Sequence, residues 1–369
     1  MVRAAKATRG ESATDEDLVQ LLSPSGERVA HADYALEIDD DEARGLFTDM
    51  SVIRRTDVEA TSLQRQGQLA LWAPLRGQEA AQIGAGRALE PDDFCFPGYR
   101  EHGLAYCRGI PATLSARNFR QVTNGGWDPY AYNYAEPSIV IGNNLLNAVG
   151  YAMGVQHDGA ETAVMACTGD GGMSQGDVAE AFVWASVFQA PIVFLLQNNH
   201  WAISEPTERQ SRIPLYRRAE GFGFPGVRVD GNDVFAMLAV SRAALARARE
   251  GSGPTLVEAF TYRMGAHTTS DDPTRYRVDE EVEEWTRRDP IERLRTYLVA
   301  RGTDAAWFAA VDEAADAAAA ALREAVVTMP DPSPLSIFDH VYAEPHPLVD
   351  EERAEMAALL GGEDAGSNA

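Results

Sequence analysis

Gly169-Asp170-Gly171-Gly172, followed 29 positions after its aspartate by the second residue of the pair Asn198-Asn199, is the stretch that decides the fold. Ala163-Val164-Met165-Ala166 reads as a buried strand running into the Gly-Asp-Gly turn. Val178, Ala181, Phe182, Ala185 and Phe188 then recur with the period of a helix that has one apolar face. Pro191 stops it, and Ile192-Val193-Phe194-Leu195-Leu196 is a second buried strand ending at Gln197-Asn198-Asn199. A right-handed crossover makes such strands parallel, so both polar clusters emerge at their carboxyl ends. In an open α/β sheet that edge is where ligands bind.

The chemistry of the two clusters suits a magnesium-bound diphosphate. A hard octahedral cation takes oxygen ligands and shares its shell with substrate phosphates. Asp170 offers a carboxylate, Asn199 an amide oxygen, and a backbone carbonyl just beyond Asn199 a third ligand. Glycines at 169, 171 and 172 let the backbone approach phosphate oxygens, and the N-terminus of the following helix favours negative charge. Gly-Asp-Gly alone also describes an ordinary surface turn, and an asparagine pair an ordinary Asx turn; the fixed spacing separates the readings.

Working outward, strands are expected near residues 163–168, 192–197, 226–229 and 255–260, with helices near 175–189, 233–249 and 278–301. That alternation predicts a doubly wound, mostly parallel α/β domain. Upstream, the spacing predicts a long helix over about 41–66, headed by acidic residues that complement its dipole. A second helix opens at Arg76-Gly77-Gln78-Glu79, and Asp93-Phe94-Cys95-Phe96 is a short strand. Residues 145–155 read as a buried helix, 120–137 as a long functional or mobile loop, and 305–328 as an Ala-rich helix. The expected organisation is an N-terminal arm over 1–40, disordered to about residue 16, one domain over 41–345, and a tail over 346–369.

The chain has 369 residues, is 45% hydrophobic, and carries a net charge of −24 with Lys6 as its only lysine. Without a basic field to displace counterions, nucleic-acid binding is disfavoured. The three cysteines show no CxxC spacing and leave an odd thiol, which fits a reduced cytoplasmic setting. No apolar run reaches membrane-spanning length and no secretory segment opens the chain, so no membrane association is expected.

Gly169-Asp170-Gly171 to Asn198-Asn199 resembles the thiamine-diphosphate motif. Three further segments extend the likeness: Phe96-Pro97-Gly98-Tyr99-Arg100-Glu101-His102-Gly103, Val227-Arg228-Val229-Asp230-Gly231-Asn232-Asp233, and Gly265-Ala266-His267-Thr268-Thr269-Ser270-Asp271-Asp272-Pro273. Across about residues 40–345 the chain resembles the alpha subunits of the decarboxylating dehydrogenase of 2-oxo acid dehydrogenase complexes. The resemblance implies the thiamine-diphosphate-binding fold and places magnesium on Asp170, Asn199 and the carbonyl of Trp201, where tyrosine is common. It brings Tyr99, Arg100, Gly171, Gly172 and His267 to the diphosphate, with Gln197 where some relatives carry an arginine. Ile139 and Ile141 match positions whose backbone meets the aminopyrimidine, and Ile203 the apolar wedge that keeps the cofactor bent. Ser138, Asn143 and Asn144 resemble a potassium site. His267 is the catalytic candidate, read as neutral at rest and protonatable near neutrality. Ala266 stands where some relatives have a second histidine, and Asp271, Asp272, Arg275, Tyr276 and Arg277 are expected to brace the loop.

The glutamate that activates the aminopyrimidine, and the second domain that cradles it, are not found in this sequence. The resemblance therefore implies a beta subunit, an α2β2 heterotetramer, and acyl transfer to a lipoyl-bearing dihydrolipoyl acyltransferase. The implied reaction is oxidative decarboxylation of a branched-chain 2-oxo acid or of pyruvate, the former slightly favoured. Two other readings stand beside it: an acetoin dehydrogenase alpha subunit, or a non-catalytic thiamine-fold scaffold.

Overall fold

The computed structural model describes residues 17–123 and 126–361. Its frame is one parallel sheet of five strands: β1 (Phe94–Phe96), β2 (Val164–Gly169), β3 (Ile192–Asn198), β6 (Gly226–Asp230) and β7 (Thr255–Phe260), in the order β1-β2-β3-β7-β6. β4 (Trp201–Ala202) and β5 (Glu205–Pro206) form a separate antiparallel hairpin. The central strands are almost continuously apolar because both faces are covered. Met165, Cys167, Val193, Leu195, Val257 and Ala259 face a core shared with helices Asp40–Arg65, Glu79–Ala88 and Val234–Arg249. Their neighbours Val164, Ala166, Ile192, Phe194, Leu196 and Leu256 face helices Asn143–His157 and Gly176–Phe188. The period of two along each strand thus builds two cores on one sheet.

Register places the functional edge. Gly169 pairs with Gln197 and Asn198 with Phe260, so the strand ends of β2, β3 and β7 lie side by side. The β2-to-β3 crossover through helix Gly176–Phe188 is the one expected from the sequence. The turn after β2 differs in detail. Asp170–Ser174 is a 3-10 turn, and the α-helix begins only at Gly176.

Two expectations need correction, and two gain detail. Residues 278–301 are two helices, Asp279–Thr286 and Pro290–Ala300. Pro290 has no N–H to donate and its fixed φ suits a first helical position, while Asp289 caps Ile291 and Glu292 at 2.9 and 3.2 Å. The segment after residue 346 carries a helix, Pro347–Leu359, rather than being only a tail. Of the N-terminal arm, residues 1–16 lie outside the described ones, but Val19 pairs with Val229 at the β6 edge. The Asp233 carboxylate takes the amides of Leu21 and Leu22, both at 2.6 Å, which pins the arm to the sheet. Within 120–137, where positions 124 and 125 lie outside the described residues, there is a helical turn, Pro129–Tyr132, and Tyr134 bridges to Cys95. Helix Ala305–Thr328 has the expected bounds and packs along Asp40–Arg65. Among the described residues no helix is long and apolar enough to cross a membrane.

Candidate active site

The carboxyl ends of β1, β2 and β3 and the chain beyond β7 enclose a cavity of about 440 Å³, the size of a cofactor or drug-sized pocket. Tyr99, Arg100, Ser138, Ile139, Ile141 and Asn144 line it, as do Asp170, Gly171, Gly172, Gln197, Asn199, Trp201, Ile203 and His267. The structure thus brings together on one cavity every expected site residue except Asn143, which begins the helix beside it.

Asp170 is 2% exposed, and burial raises its pKa against bonds from Gln210 and Thr207. Those bonds reach Oδ2 at 3.0 and 3.1 Å. Asn199 donates through its amide nitrogen to Gln78 at 3.1 Å. That contact fixes the amide orientation and leaves Oδ1 as an acceptor, held among the described residues only by a 3.3 Å bond from the Trp201 amide. Asn198 does a different job: it donates to Glu258 on β7 at 2.6 Å and ties two strands together. Among the described residues no cluster of three or more His, Cys, Asp or Glu side chains could hold a metal. A cation here would rest on Asp170 plus neutral oxygens, a set that suits a hard ion bringing its own phosphate ligands.

Arg100 lines the same cavity, and Arg263 contacts His267 without lining it. Arg100 is 6% exposed; it donates to the carbonyls of Pro74 at 2.6 Å and His267 at 2.8 Å. Arg263, fully buried, donates to the carbonyls of Trp201 at 2.9 Å and Ile203 at 2.7 Å. Both guanidiniums approach Nδ1 of His267, at 3.3 and 3.2 Å. Among the described residues neither guanidinium pairs with a carboxylate. Uncompensated buried charge is costly, so Arg100, the one of the two that lines the cavity, favours an anion there. The expectation that His267 titrates near neutrality is corrected for this chain by itself. Burial, then Arg100 and Arg263, bring its pKa down to about 3. With two donors on Nδ1, the ring hydrogen sits on Nε2, 3.5 Å from the Tyr99 hydroxyl. Asp271 braces the loop as expected, accepting from the His267 amide at 2.8 Å, and Arg277 donates to the Gly265 carbonyl at 3.1 Å.

Other assignments shift in emphasis. Gln197 lines the cavity, but its amide is engaged by Glu101 at 2.7 Å and Gln82 at 2.9 Å. Asn144 donates to the carbonyls of Phe96, Pro97 and Cys167, at 3.3, 3.1 and 2.8 Å. Ser138 donates to the Val140 carbonyl at 3.3 Å. Ile139, Ile141 and Ile203 are 72%, 40% and 56% exposed, large apolar side chains turned to the opening instead of the core. Ile203 has φ 57°, a left-handed conformation that a β-branched residue adopts only under constraint. It occupies the first central position of the two-residue β4–β5 turn, where glycine is usual. Gly171 and Gly172 are needed for close packing: a Cβ on them would lie 2.7 Å from Ala202 Cβ and 2.1 Å from Thr168 Oγ1.

Sequence reasoning did not find Gln78, Thr207, Gln210 or Arg263. Only Arg263 had a usable signal, a cation just past a buried strand and four residues before His267.

Residues 48–330 match the family described as dehydrogenase E1 component. The chain is 45% identical to the 3-methyl-2-oxobutanoate dehydrogenase subunit alpha of Mycobacterium tuberculosis, over 95% of this chain and 96% of that protein. It is 39% identical to the pyruvate dehydrogenase E1 component subunit alpha of Staphylococcus epidermidis, over 79% of each. The subunit of the same name from Staphylococcus aureus is 38% identical over 78% of each. With three quarters of its length matched and the diphosphate-suited edge in place, the chain belongs to the dehydrogenase E1 family, whose members use thiamine diphosphate.

Proposed function

We propose that this chain is the alpha subunit of a 2-oxo acid dehydrogenase that uses thiamine diphosphate with magnesium. One observation carries the reading: Asp170 and Asn199 share a cavity with His267 and with the Arg100 guanidinium, which pairs with no carboxylate among the described residues. Asp170, Asn199 and the Trp201 carbonyl would hold the metal. Tyr99, Arg100, His267 and the amides of Gly171 and Gly172 would meet the diphosphate. Ile139, Ile141 and Ile203 would meet the ring portion, the last held out by its strained turn. When bound, the cofactor supplies the electron sink for cleaving the bond between the carboxylate and the 2-oxo carbon.

The chain's own groups then have defined tasks. Arg100 neutralises phosphate charge while its carbonyl contacts hold it still. His267 acts as a hydrogen-bond donor through Nε2–H, since its acceptor nitrogen is already engaged. Arg263 positions the hairpin that presents Ile203. The apolar opening awaits a second surface, which supports a beta subunit that completes the site and excludes water. Acyl transfer to the lipoyl group of an acyltransferase component, and an α2β2 assembly, belong to the same reading. Potassium at Ser138, Asn143 and Asn144 belongs to the same reading; the Asn144 amide nitrogen is spent on three carbonyls, so its Oδ1 would be the ligand atom.

A branched-chain substrate is favoured by the relative that is similar along nearly the whole chain. Side-chain discrimination of this kind is worth about 10–200-fold in kcat/KM. The test is to co-express the chain with its beta partner and assay ferricyanide-linked oxidation of 2-oxoisovalerate and pyruvate. Asp170→Ala and Asn199→Ala should each abolish magnesium-dependent cofactor binding by calorimetry; full binding in either overturns the metal assignment.

A further inference from the structure

A second cavity, of about 350 Å³, lies behind the first, between helices Asp40–Arg65 and Ala305–Thr328 and the turn leading into Ala112–Arg120. Its lining is mostly aliphatic, with Val52, Ile53, Ile110 and Leu322 among the walls and Asp57 and His102 in them. Asp57 is 3% exposed. Its Oδ1 accepts the Trp72 indole N–H at 2.8 Å and the Leu75 amide at 3.1 Å. Its Oδ2 has no hydrogen-bond partner among the described residues and is not one of their fully enclosed unpartnered atoms, so a small molecule in the chamber can reach it. No arginine or lysine lines the cavity. His102 donates to the Ala73 carbonyl at 3.1 Å and stacks on Trp72 at 4.1 Å. Burial depresses its pKa to about 4, so it brings no positive charge near neutrality.

We propose that this chamber is a second binding site, for a small primary aliphatic amine whose head donates to Oδ2 of Asp57. The aliphatic walls take the carbon body and the carboxylate takes the head. An anionic 2-oxo acid or a diphosphate is disfavoured, because it would bury a second negative charge beside Asp57 where no arginine or lysine lines the chamber; Arg100, outside the lining, is only the smallest influence on that carboxyl. Chambers of this size hold a small ligand. Rim positions Gly109, Pro111 and Ala321 are exposed, which gives an entry route. The two cavities share a wall: Ala73 lines the first, while Trp72 and Leu75 line the second. The proposal does not depend on the assignment of the first cavity.

The test is calorimetry on the full-length protein at about pH 8, where a carboxyl raised to about 6 by burial is ionised. The probe is 3-methylbutylamine, with 3-methylbutanoate as the anionic control. The amine should bind with a stoichiometry of one and the carboxylate should not. Asp57→Asn, nearly isosteric, should weaken the amine by about tenfold or more. Ala318→Phe, which fills the chamber from the helix Ala305–Thr328 side, should abolish binding even if Asp57→Asn fails to fold. Asp170→Ala should leave amine binding unchanged. Absence of amine binding, equal binding of the carboxylate, or an unaffected Asp57→Asn protein overturns the proposal. So does binding to the isolated chain that vanishes in its assembly with a partner subunit, since the chamber would then be a protein interface.

Discussion

Ile203 offers a test of whether the hairpin's strain serves the site. Its φ of 57° is a conformation in which any Cβ crowds the following carbonyl. That conformation costs an L-residue about 1–2 kcal/mol. Glycine avoids the clash but has more conformational entropy to lose on folding, a penalty of about 0.4–1 kcal/mol. Comparing Ile203→Gly with Ile203→Ala removes the side-chain burial term, because both variants lose the same apolar atoms beyond Cβ. The net expectation is that the glycine variant is more stable than the alanine variant by up to about 1.6 kcal/mol, with a central value of about 0.8 kcal/mol. In most interior positions of helices and strands the order is the reverse. For a chain of this size the difference corresponds to roughly 1–2 °C in Tm, so urea midpoints on the full chain are the better measure. Activity should move differently. Both variants delete the exposed side chain that faces the cavity, so cofactor-dependent 2-oxo acid oxidation should fall in both, while Ile203→Val should retain it. An alanine variant more stable than the glycine variant would refute the backbone argument, and full activity in both would refute the wedge.

Gly172→Ala should destabilise by about 2 kcal/mol or more, since the new Cβ would meet Thr168 Oγ1 at 2.1 Å; adding Thr168→Ala should restore folding, read by thermal melts. Arg263→Gln should release the Trp201 and Ile203 carbonyls, and it removes one of the two guanidiniums that hold the His267 pKa down to about 3. NMR should show that pKa rise, and no movement would disprove the electrostatic account. His102 has a folded pKa lowered to about 4, so between that value and its unfolded value the unfolded chain binds more protons. Its contribution to stability is unaffected above about pH 6.5 and is lost progressively as pH falls towards 4, by at most about 3 kcal/mol. His102→Gln should flatten that limb of the stability–pH curve, measured by urea unfolding at several pH values.

Much of the frame was legible because it is written locally. The period of the helix over 176–188, the apolar runs before Gly169 and Gln197, and the alanine helix ended by Pro330 all depend on neighbours within a few residues. The break at Asp289-Pro290 carried a local signal as well, and a capping aspartate before a proline suffices to divide 278–301. The candidate site was legible through its motifs, because Asp170 and Asn199 sit at strand ends whose position follows from a single crossover.

What the sequence could not supply is contact between distant segments. Nothing local says that Gln78 orients Asn199, that Thr207 and Gln210 hold Asp170, or that Asp233 secures the amides of Leu21 and Leu22. Charge state belongs to the same class. His267 alone reads as a group poised near neutrality, yet two arginines delivered by other segments, together with burial, keep it neutral far below that range. The chain's own order determined strands, helices and the edge at which they meet. Tertiary packing decided which polar atoms face one another there, because desolvation and hydrogen-bond geometry depend on every segment that closes around a group.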